Sequence, residues 1–328
     1  MRILIVKLSS IGDLFHALPA VHALKAGLGA SIDWAVQTEY APLARCFSDV
    51  ERVIPVPRRR PWGRIRETIR EIRRERYDAV VDLQGLFKSA LVVLAARAAL
   101  RVGPAYSREC SFLAYDRRPA RGDRERHAVE QALDVLDCFG IPHPAKAEFP
   151  LSFPDFDAGA REGPRIGLLP VSRWKTKNWP VAHFSALAAR IAGELGATPL
   201  VLGGKSDAEA CAAICRAVPK ARNLCGAMDL PHLGGLISKL DLLVSNDSGP
   251  VHMAAALGKP CLVFFGPTIP GRTGPYGGIH RVLRLSLPCQ PCLSRDCRRG
   301  DHACLAGISP DTAFESVKEM LRAVATQG

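Results

Sequence analysis

Side chains that could hold an anionic ligand follow an apolar run late in the chain. Residues 242–244 are Leu-Leu-Val, which predicts a buried parallel strand, and an Ala-rich stretch from 250 to 257 predicts a helix. The free N–H groups and positive dipole end of such a helix face whatever lies beyond the strand, so we interpret this junction as a site for a nucleotide diphosphate. An ordinary capped helix is the alternative at this point, because Asp and Ser are favoured N-caps. The candidate residues are Asp247, Ser248, Gly249 and His252.

A second strand-to-helix junction, near residue 10, carries a carboxylate. Residues 2–7 predict a strand, 8–13 a loop and 14–24 an amphipathic helix. A dinucleotide-binding oxidoreductase would show three glycines in this first turn, whereas only Gly12 is present here. Asp13 is placed either to act as a general base or to cap the helix, and the residues alone leave both interpretations open.

Several motifs, spread in order over nearly the whole chain, resemble those of glycosyltransferase family 9, which includes the ADP-heptose:lipopolysaccharide heptosyltransferases. The first motif is most similar to the heptosyltransferase I branch, which adds the first heptose to Kdo. The motifs are Lys7-x-Ser9-Ser10-x-Gly12-Asp13-x-x-His16-x-Leu18-Pro19-Ala20, Asp82-x-Gln84-Gly85-Leu86-x-Lys88-Ser89, Lys177-x-Trp179-Pro180, Asp247-Ser248-Gly249-x-x-His252-x-x-Ala255-Ala256-Leu257 and Gly266-Pro267-Thr268.

The resemblance implies an α/β fold with two Rossmann-like domains, the GT-B-type glycosyltransferase fold, and an active site in the cleft between the domains. Alternating strand and helix patterns also favour a parallel sheet in each half of the chain. We expect an N-terminal acceptor-binding domain over 1–153 and a C-terminal nucleotide-sugar-binding domain over 154–328. The second domain is expected to end in a C-terminal helix that starts at Ser309-Pro310-Asp311.

Sugar transfer from a nucleotide diphosphate needs a base for the acceptor hydroxyl and a counter-charge for the leaving diphosphate. The resemblance assigns Asp13 as that base, in an inverting reaction. We expect Lys177 and the helix that begins at Ser248 to neutralise the diphosphate, so no cofactor or metal ion is expected to be required for catalysis. The candidate nucleotide-sugar-binding residues are Ser172, Arg173, Lys177, Gly203, Gly204, Glu209, Asp247, Ser248, Gly249 and His252. The candidate acceptor-binding residues are Ser10, Gly12, His16, Arg58, Arg59, Arg60 and Lys88.

The composition is that of a globular protein without a membrane span. Of the 328 residues, 48% are hydrophobic, and charged residues interrupt the long apolar runs. The first residues lack the uninterrupted apolar region of a signal peptide, so we expect a cytoplasmic protein.

Basic residues concentrate between 58 and 66, in a chain whose net charge is +12. Such a segment attracts polyanions, and no recognition module for nucleic acid is visible. Guanidinium groups suit carboxylates and phosphates, so we expect the segment to face a Kdo-lipid A acceptor, or an anionic inner membrane from its cytoplasmic side. A solvated basic helix with partners four residues apart is the alternative.

Four cysteines stand close together late in the chain, in the spacing Cys289-x2-Cys292-x4-Cys297-x6-Cys304. Four thiols this close suit a structural zinc ion or an iron–sulfur cluster. Reduced or partly bridged structural thiols are the favoured alternative, because the spacing is not that of a standard zinc ribbon. Similar clusters occur in heptosyltransferase II-like sequences, so the cluster leaves transfer of the first or the second heptose open.

We therefore predict an inverting, metal-independent transfer of heptose from ADP-heptose to the Kdo-lipid A inner core of lipopolysaccharide. A heptosyltransferase II-like enzyme, or another sugar-nucleotide transferase of the same family, is the alternative within this class. A sugar-nucleotide epimerase has the same two-domain fold but needs no lipid acceptor. A non-enzymatic metal or redox module built on the cysteine cluster would leave Asp13 without a role.

Overall fold

The computed structural model describes residues 1–58, 62–120, 122–157, 159 and 163–326. The chain divides into two compact units, Met1–Ser152 and Phe153–Gly328, one residue before the predicted boundary. Among the described residues, no helix combines the length and apolarity that crossing a bilayer requires.

The first unit contains a five-stranded sheet in which all neighbouring strands are parallel and the order is 3-2-1-4-5. Residues 3–6 of the first strand are buried on both faces, as the uninterrupted apolar run requires of a central parallel strand. The strands are β1 (Arg2–Val6), β2 (Ser31–Gln37), β3 (Val50–Val56), β4 (Arg76–Asp82) and β5 (Arg97–Val102).

Helices and a 3-10 turn at Thr38–Tyr40 connect these parallel strands, and one more helix and 3-10 turns at Ser111–Ala114 and Asp134–Phe139 follow β5. The helix after β1 is longer than predicted and is not amphipathic, because residues 14–21 are all buried and cover every face of two turns. The helices are α1 (Ile11–Leu28), α2 (Ala41–Ala44), α3 (Trp62–Ile72), α4 (Phe87–Ala95) and α5 (Ala128–Leu133).

The second unit contains a six-stranded parallel sheet. Numbered within the unit, the order is 6-5-4-1-2-3, which is the Rossmann order read from the other edge. The short third strand, at 222–223, has no pattern that predicts it. The strands are β6 (Arg165–Leu169), β7 (Thr198–Val201), β8 (Arg222–Asn223), β9 (Leu242–Asn246), β10 (Cys261–Phe264) and β11 (Arg281–Leu283).

The helices of the second unit include the predicted C-terminal helix, whose N-cap Ser309 accepts a hydrogen bond from the Thr312 N–H group. Two 3-10 turns lie at Lys175–Lys177 and Lys205–Asp207. The helices are α6 (Val181–Glu194), α7 (Ala208–Ala217), α8 (Leu230–Ser238), α9 (Gly249–Ala256), α10 (Pro270–Thr273), α11 (Ala303–Ala306) and α12 (Pro310–Ala325).

Each sheet has a switch point, where the chain leaves neighbouring strands in opposite directions. In the first unit this point lies between β1 and β4, where Val6 pairs with Asp82. In the second it lies between β6 and β9, where Leu169 pairs with Ser245. Ligands of doubly wound folds bind outside the carboxyl ends of the strands at such points. The predicted fold class, two parallel α/β units of Rossmann type, is confirmed.

Candidate active site

Asp13 lies on the first turn of α1, directly after the carboxyl end of β1. The N-cap is Ser10 rather than Asp13, and Asp13 is the third helical residue of a capping box. Its Oδ2 accepts hydrogen bonds from the Ser10 N–H group at 2.7 Å and from the Ser10 hydroxyl at 2.9 Å. Among the described residues no hydrogen bond reaches Oδ1. The half-buried carboxylate is therefore held through one oxygen while the other is left to accept a proton.

The loop that precedes Asp13 is fixed by Gln84, a residue from the turn after β4. Gln84 Oε1 accepts hydrogen bonds from the backbone N–H groups of Leu8 and Ser9, both at 3.1 Å. These two donors lie immediately before Ser10, so Gln84 fixes the backbone that presents both Ser10 donors to Asp13. The two motifs that contribute these residues meet because β1 and β4 are neighbours in the sheet.

The turn that carries Gln84 is in turn fixed by Asp82, which is fully buried at the end of β4. Asp82 Oδ1 accepts the N–H groups of Gln84 at 2.7 Å and Gly85 at 3.2 Å. The Tyr115 hydroxyl donates to Asp82 Oδ2 at 2.7 Å. Burial raises the pKa of Asp82, although its hydrogen bonds act in the opposite direction. Burial also raises the pKa of the Tyr115 hydroxyl, which stays a donor.

The predicted acceptor-binding residues are only partly brought together. Lys88 Nζ donates to the Ser9 hydroxyl at 3.1 Å, which places its ammonium group beside the loop that holds Asp13. His16 is buried in α1 and its ring meets that of His127 edge to face, at 5.2 Å between centroids. Arg58 is exposed, and its guanidinium Nη1 lies 3.9 Å from Glu39 Oε1. Gly12 is buried in the first turn of α1. Arg59 and Arg60 lie outside the described residues.

In the second unit, Lys177 and Asp247 form an ion pair with 2.7 Å between Nζ and Oδ2. The Thr268 hydroxyl donates to the same Oδ2 at 2.6 Å, and Asp247 is buried. A lysine ammonium carries three donors, so the pair leaves Lys177 able to bind a further anion. The three residues come from the loops after β6, β9 and β10, three strands that are consecutive in the sheet.

Trp179 anchors the segment that carries Lys177. Its buried ring stacks on Phe264, with 4.1 Å between centroids and 17° between the planes. Its indole N–H group donates to the carbonyl of Ile308 at 2.9 Å, and its backbone N–H group donates to Asn246 Oδ1 at 2.8 Å. This anchoring ties the lysine segment to the end of β9, where the predicted anion site begins.

That site is the N-terminus of α9, where Ser248 is the N-cap and Gly249 is the first helical residue, as predicted. Ser248 Oγ lies 3.0 Å from Ser245 Oγ, which donates to the carbonyl of Asn246 at 2.7 Å. His252 is buried within the helix. The N-cap of α9 directly follows Asp247 in the sequence. The free N–H groups and the positive dipole end of the helix therefore lie beside the Lys177–Asp247 pair.

The remaining nucleotide-side candidates lie on two other loops of the same unit. The N–H group and hydroxyl of Ser172 both donate to Asn178 Oδ1, at 2.8 and 2.9 Å. Arg173 is exposed. At the turn after β7, Asp207 Oδ2 accepts the N–H group of Gly204 at 2.8 Å. A Cβ atom at Gly203 would lie 3.0 Å from Cys211 Sγ, so a larger residue would disturb this turn. Glu209 is exposed on α7.

The Lys177 segment carries a second cationic neighbour that the sequence reasoning missed. Two cations lie near the ring of Trp174, with Lys177 Nζ 4.8 Å and the Arg295 guanidinium 5.1 Å from its centroid. Arg295 belongs to the cysteine-bearing loop, whose Ser294 carbonyl accepts the Thr176 hydroxyl at 2.8 Å. The cysteine-bearing loop therefore packs on the segment that presents Lys177.

The four clustered cysteines are free thiols, of which Cys289 and Cys292 are exposed. Backbone N–H groups, above all that of His302, lower the pKa of Cys297. Burial, followed by the neighbouring thiols, raises the pKa of Cys304. Across the described residues, no group of three or more His, Cys, Asp or Glu side chains is placed to hold a metal ion. A zinc ion or iron–sulfur cluster at this loop stays a prediction.

An Asp-x-Asp spacing, which in some transferases binds a metal-bound diphosphate, occurs at Asp155 and Asp157. Asp155 forms an ion pair with Lys239, and Asp157 Oδ1 accepts the N–H group of Gly159 at 2.7 Å. The Lys239 pair also lowers the pKa of Asp155, mainly through its hydrogen bond. Both carboxylates are thus engaged by other groups at the start of the second unit.

Comparisons with known proteins place this geometry in a family. Residues 65–302, more than half of the chain, match the family model of glycosyltransferase family 9 (heptosyltransferase). The chain is 30% identical to lipopolysaccharide heptosyltransferase 1 of Pseudomonas aeruginosa, and the alignment covers 99% of each chain.

Solved structures give the same result. The heptosyltransferase WaaC of E. coli with ADP superposes with a TM-score of 0.84 at 26% identity, over 98% of this chain and 100% of that one. The ADP-heptose LPS heptosyltransferase II of E. coli superposes with a TM-score of 0.81 at 27% identity, over 98% of this chain and 99% of that one. The motif resemblance is therefore confirmed by the whole length of the chain. The chain belongs to glycosyltransferase family 9, and it is a glycosyltransferase.

Proposed function

We propose that this protein transfers heptose from ADP-heptose to the Kdo-lipid A inner core of lipopolysaccharide, with inversion at the anomeric carbon. The observation that carries the proposal is the Asp13 carboxylate, held by Ser10 through Oδ2 with Oδ1 left as a proton acceptor. The similarity to heptosyltransferase 1 of P. aeruginosa along the whole chain supports the choice of donor and acceptor class.

In the proposed step, Asp13 accepts the proton of an acceptor hydroxyl. The hydroxyl oxygen forms a bond to the anomeric carbon from the face opposite the leaving group, and the bond from that carbon to the diphosphate oxygen breaks. ADP leaves with the electron pair of that bond. The half-buried position of Asp13 limits the access of competing water to the carboxylate.

Charge on the departing ADP is proposed to be stabilised by Lys177 and by the N–H groups at the start of α9. Asp247 and Thr268 orient the ammonium group from one side, which leaves its other N–H donors for phosphate oxygens. Preorganised donors of this kind stabilise developing negative charge at no cost in reorganisation. We therefore propose that no metal ion is required for the transfer.

The acceptor is a glycolipid, so we propose that the protein works as a peripheral protein on the cytoplasmic face of an anionic inner membrane. Lys88, held beside Asp13 by the Ser9 hydroxyl, is the described cation best placed to meet an acceptor carboxylate or phosphate.

The experiment is transfer from ADP-heptose to Kdo2-lipid A by the purified protein, followed by mass spectrometry. A mass increment of one heptose is expected with the wild-type protein, with EDTA present or absent. The Asp13→Asn variant, which keeps the size of the side chain, is the matched control and should give no increment on the same timescale.

A second acceptor separates the two heptosyltransferase types. If Kdo2-lipid A gains no heptose while the monoheptosylated acceptor does, the protein is heptosyltransferase II-like and the proposed acceptor is wrong. Loss of transfer upon addition of EDTA, with recovery upon addition of a divalent cation, would contradict the metal-independent mechanism.

A further inference from the structure

Exposed apolar side chains are concentrated on one face of the first unit. The described part of the chain has eight large apolar residues that are exposed, and five of them lie on α4 and on the 3-10 turn at Ser111–Ala114. These two elements pack against each other. We call this surface the α4 face. Its five residues are Phe87, Leu91, Leu94, Phe112 and Leu113.

The three helical members of the α4 face lie at positions i, i+4 and i+7, and therefore form one stripe along the helix. The opposite side of the helix is fixed in the core by Ser89, Val92 and Val93, which are buried. The stripe is thus not needed to hold α4 in place. Leu94 is 54% exposed and Leu113 is 78% exposed, an unusual arrangement for apolar side chains in water.

Arginines border the α4 face. The Arg118 guanidinium lies 5.6 Å from the centroid of the Phe112 ring. Arg73 Nε donates to the carbonyl of Ala95 at the C-terminal end of α4, at 3.0 Å. Arg97, two residues further on, is exposed. A guanidinium group beside an apolar surface suits a partner that offers both apolar chains and anionic groups.

The carboxylates nearest to this face already have partners. Glu109 Oε2 accepts the N–H group of Phe87, the first residue of α4, at 3.0 Å. Asp116 Oδ2 accepts the N–H group of Arg101 at 2.8 Å and lies 4.0 Å from its guanidinium group. A backbone N–H group does not neutralise Glu109, whereas Asp116 has a cationic partner in Arg101. Arg73, Arg97 and Arg118 therefore outnumber the carboxylates at this border.

We propose that the α4 face docks on an anionic phospholipid bilayer, with its apolar stripe among the upper acyl chains and its arginines at the phosphate level. Apolar residues ringed by cations are the pattern of interfacial membrane binding. A second copy of this chain fits less well, because a two-fold contact through this face would bring the arginines of both copies together. The inference rests on the proposed function, in which the acceptor is a membrane lipid, and it assigns the surface that reaches that lipid.

The test is co-sedimentation with vesicles of phosphatidylethanolamine and phosphatidylglycerol, compared with phosphatidylcholine vesicles. We expect Leu94→Gln/Leu113→Ser to lower the partition coefficient on the anionic vesicles by about tenfold or more. The matched control for Leu94→Gln is Ile279→Gln in the second unit, which removes an apolar residue that is 44% exposed. This control should bind as the wild type does.

A second pair of variants tests the charged border without touching the stripe. Arg73→Glu/Arg118→Glu should lower the partition coefficient on the anionic vesicles by about tenfold or more, because each basic group near an anionic surface contributes to binding. Arg322→Glu, an exposed position on α12, changes charge elsewhere and should have little effect. Wild-type binding should weaken as salt is added.

Transfer to detergent-dispersed acceptor separates this inference from the proposed function. All these variants should transfer heptose in detergent at the wild-type rate, and the α4-face variants should be slow only on acceptor embedded in vesicles. Wild-type vesicle binding by both α4-face variants would overturn the docking surface, whatever the transfer assay shows. If the variants instead change only self-association in sedimentation velocity, the face belongs to a second copy and the proposal is wrong.

Discussion

The switch points of the two units have the same topology and opposite chemistry. In the first unit, loops after β1 and β4 meet around a carboxylate, Asp13, which the backbone and hydroxyl of Ser10 hold from one side. In the second unit, loops after β6 and β9 meet around an ammonium group, Lys177, which Asp247 holds from one side. Each of these two groups thus uses only part of its hydrogen-bonding capacity within the protein, and the rest is available to a ligand.

Under the proposed mechanism, one strand order serves two tasks. The parallel sheet only guarantees that the loops after two adjacent strands lie side by side. The proposed roles, a proton acceptor in one unit and a phosphate-binding group in the other, depend on one or two residues that follow each strand. The comparison therefore predicts separate effects: changes in the first unit should alter the chemical step, and changes in the second should alter binding and departure of the nucleotide.

The largest effect is expected from Asp13→Asn. The amide oxygen keeps the hydrogen bonds from Ser10 but no longer accepts a proton, so kcat should fall by about 10²–10⁴-fold. Affinity for ADP, measured by titration calorimetry, should not change, since the proposed diphosphate site lies in the other unit. A kcat within about threefold of the wild-type value would exclude Asp13 as the base.

Lys177→Ala should have the next largest effect, and of a different kind. Removing the ammonium group takes away the charge that is proposed to face the diphosphate, so kcat/KM for the donor should fall by about 10²–10³-fold and ADP should bind more weakly. Lys177→Arg keeps the charge and is the matched variant, expected to recover part of the loss. If Lys177→Ala bound ADP as tightly as the wild type does, the proposal that the second unit binds the diphosphate through Lys177 would be wrong.

Gln84→Ala tests whether the loop before Asp13 needs its fixed backbone. Losing the acceptor for the Leu8 and Ser9 N–H groups should lower kcat by about ten- to a hundredfold through misplacement of the carboxylate. The KM for ADP-heptose should stay the same. Gln84→Glu keeps an acceptor oxygen and should restore most of kcat, with an altered pH profile because it adds a charge near Asp13. A loss that appears only in the KM for the donor would contradict a positioning role.

The sequence predicted the parts of the molecule that local pattern determines. The apolar run within residues 2–7 and the Leu-Leu-Val run at 242–244 predicted strands, and Ser309 predicted the start of the last helix, because each signal lies within a few residues. The amphipathic interpretation of α1 was wrong, because the residues that make it apolar are covered on every side.

The contacts that build each site were not predictable in the same way. Gln84 reaches Leu8 across 76 positions of the chain, and Thr268 reaches Asp247 across 21. Both contacts depend on which strands are neighbours in the sheet. Patterns within a few residues of the sequence do not indicate that order. Residues such as Gln84 stood in the recognised motifs, yet their roles followed only from the strand order.

The smallest effect is expected on stability, through the buried Asp82. Burial raises its pKa in the folded protein above the ordinary value of 3.8, so the folded state binds a proton more tightly than the unfolded chain. Its contribution to stability is then complete below about pH 4 and is lost as the pH rises through the folded-state value. Each unit by which the pKa is raised corresponds to about 1.4 kcal/mol.

Asp82→Asn removes this proton dependence while it keeps an acceptor for the Gln84 and Gly85 N–H groups. The free energy of unfolding of the wild type should therefore fall relative to the variant as the pH rises above about 4, as urea unfolding at a series of pH values would measure. If the free energies of unfolding of the two proteins changed with pH in parallel, folding would not shift the pKa of the Asp82 carboxyl group. The second unit gives the contrast: its buried carboxylate, Asp247, is paired with an ammonium group, and there the same substitution should weaken ADP binding as well as stability.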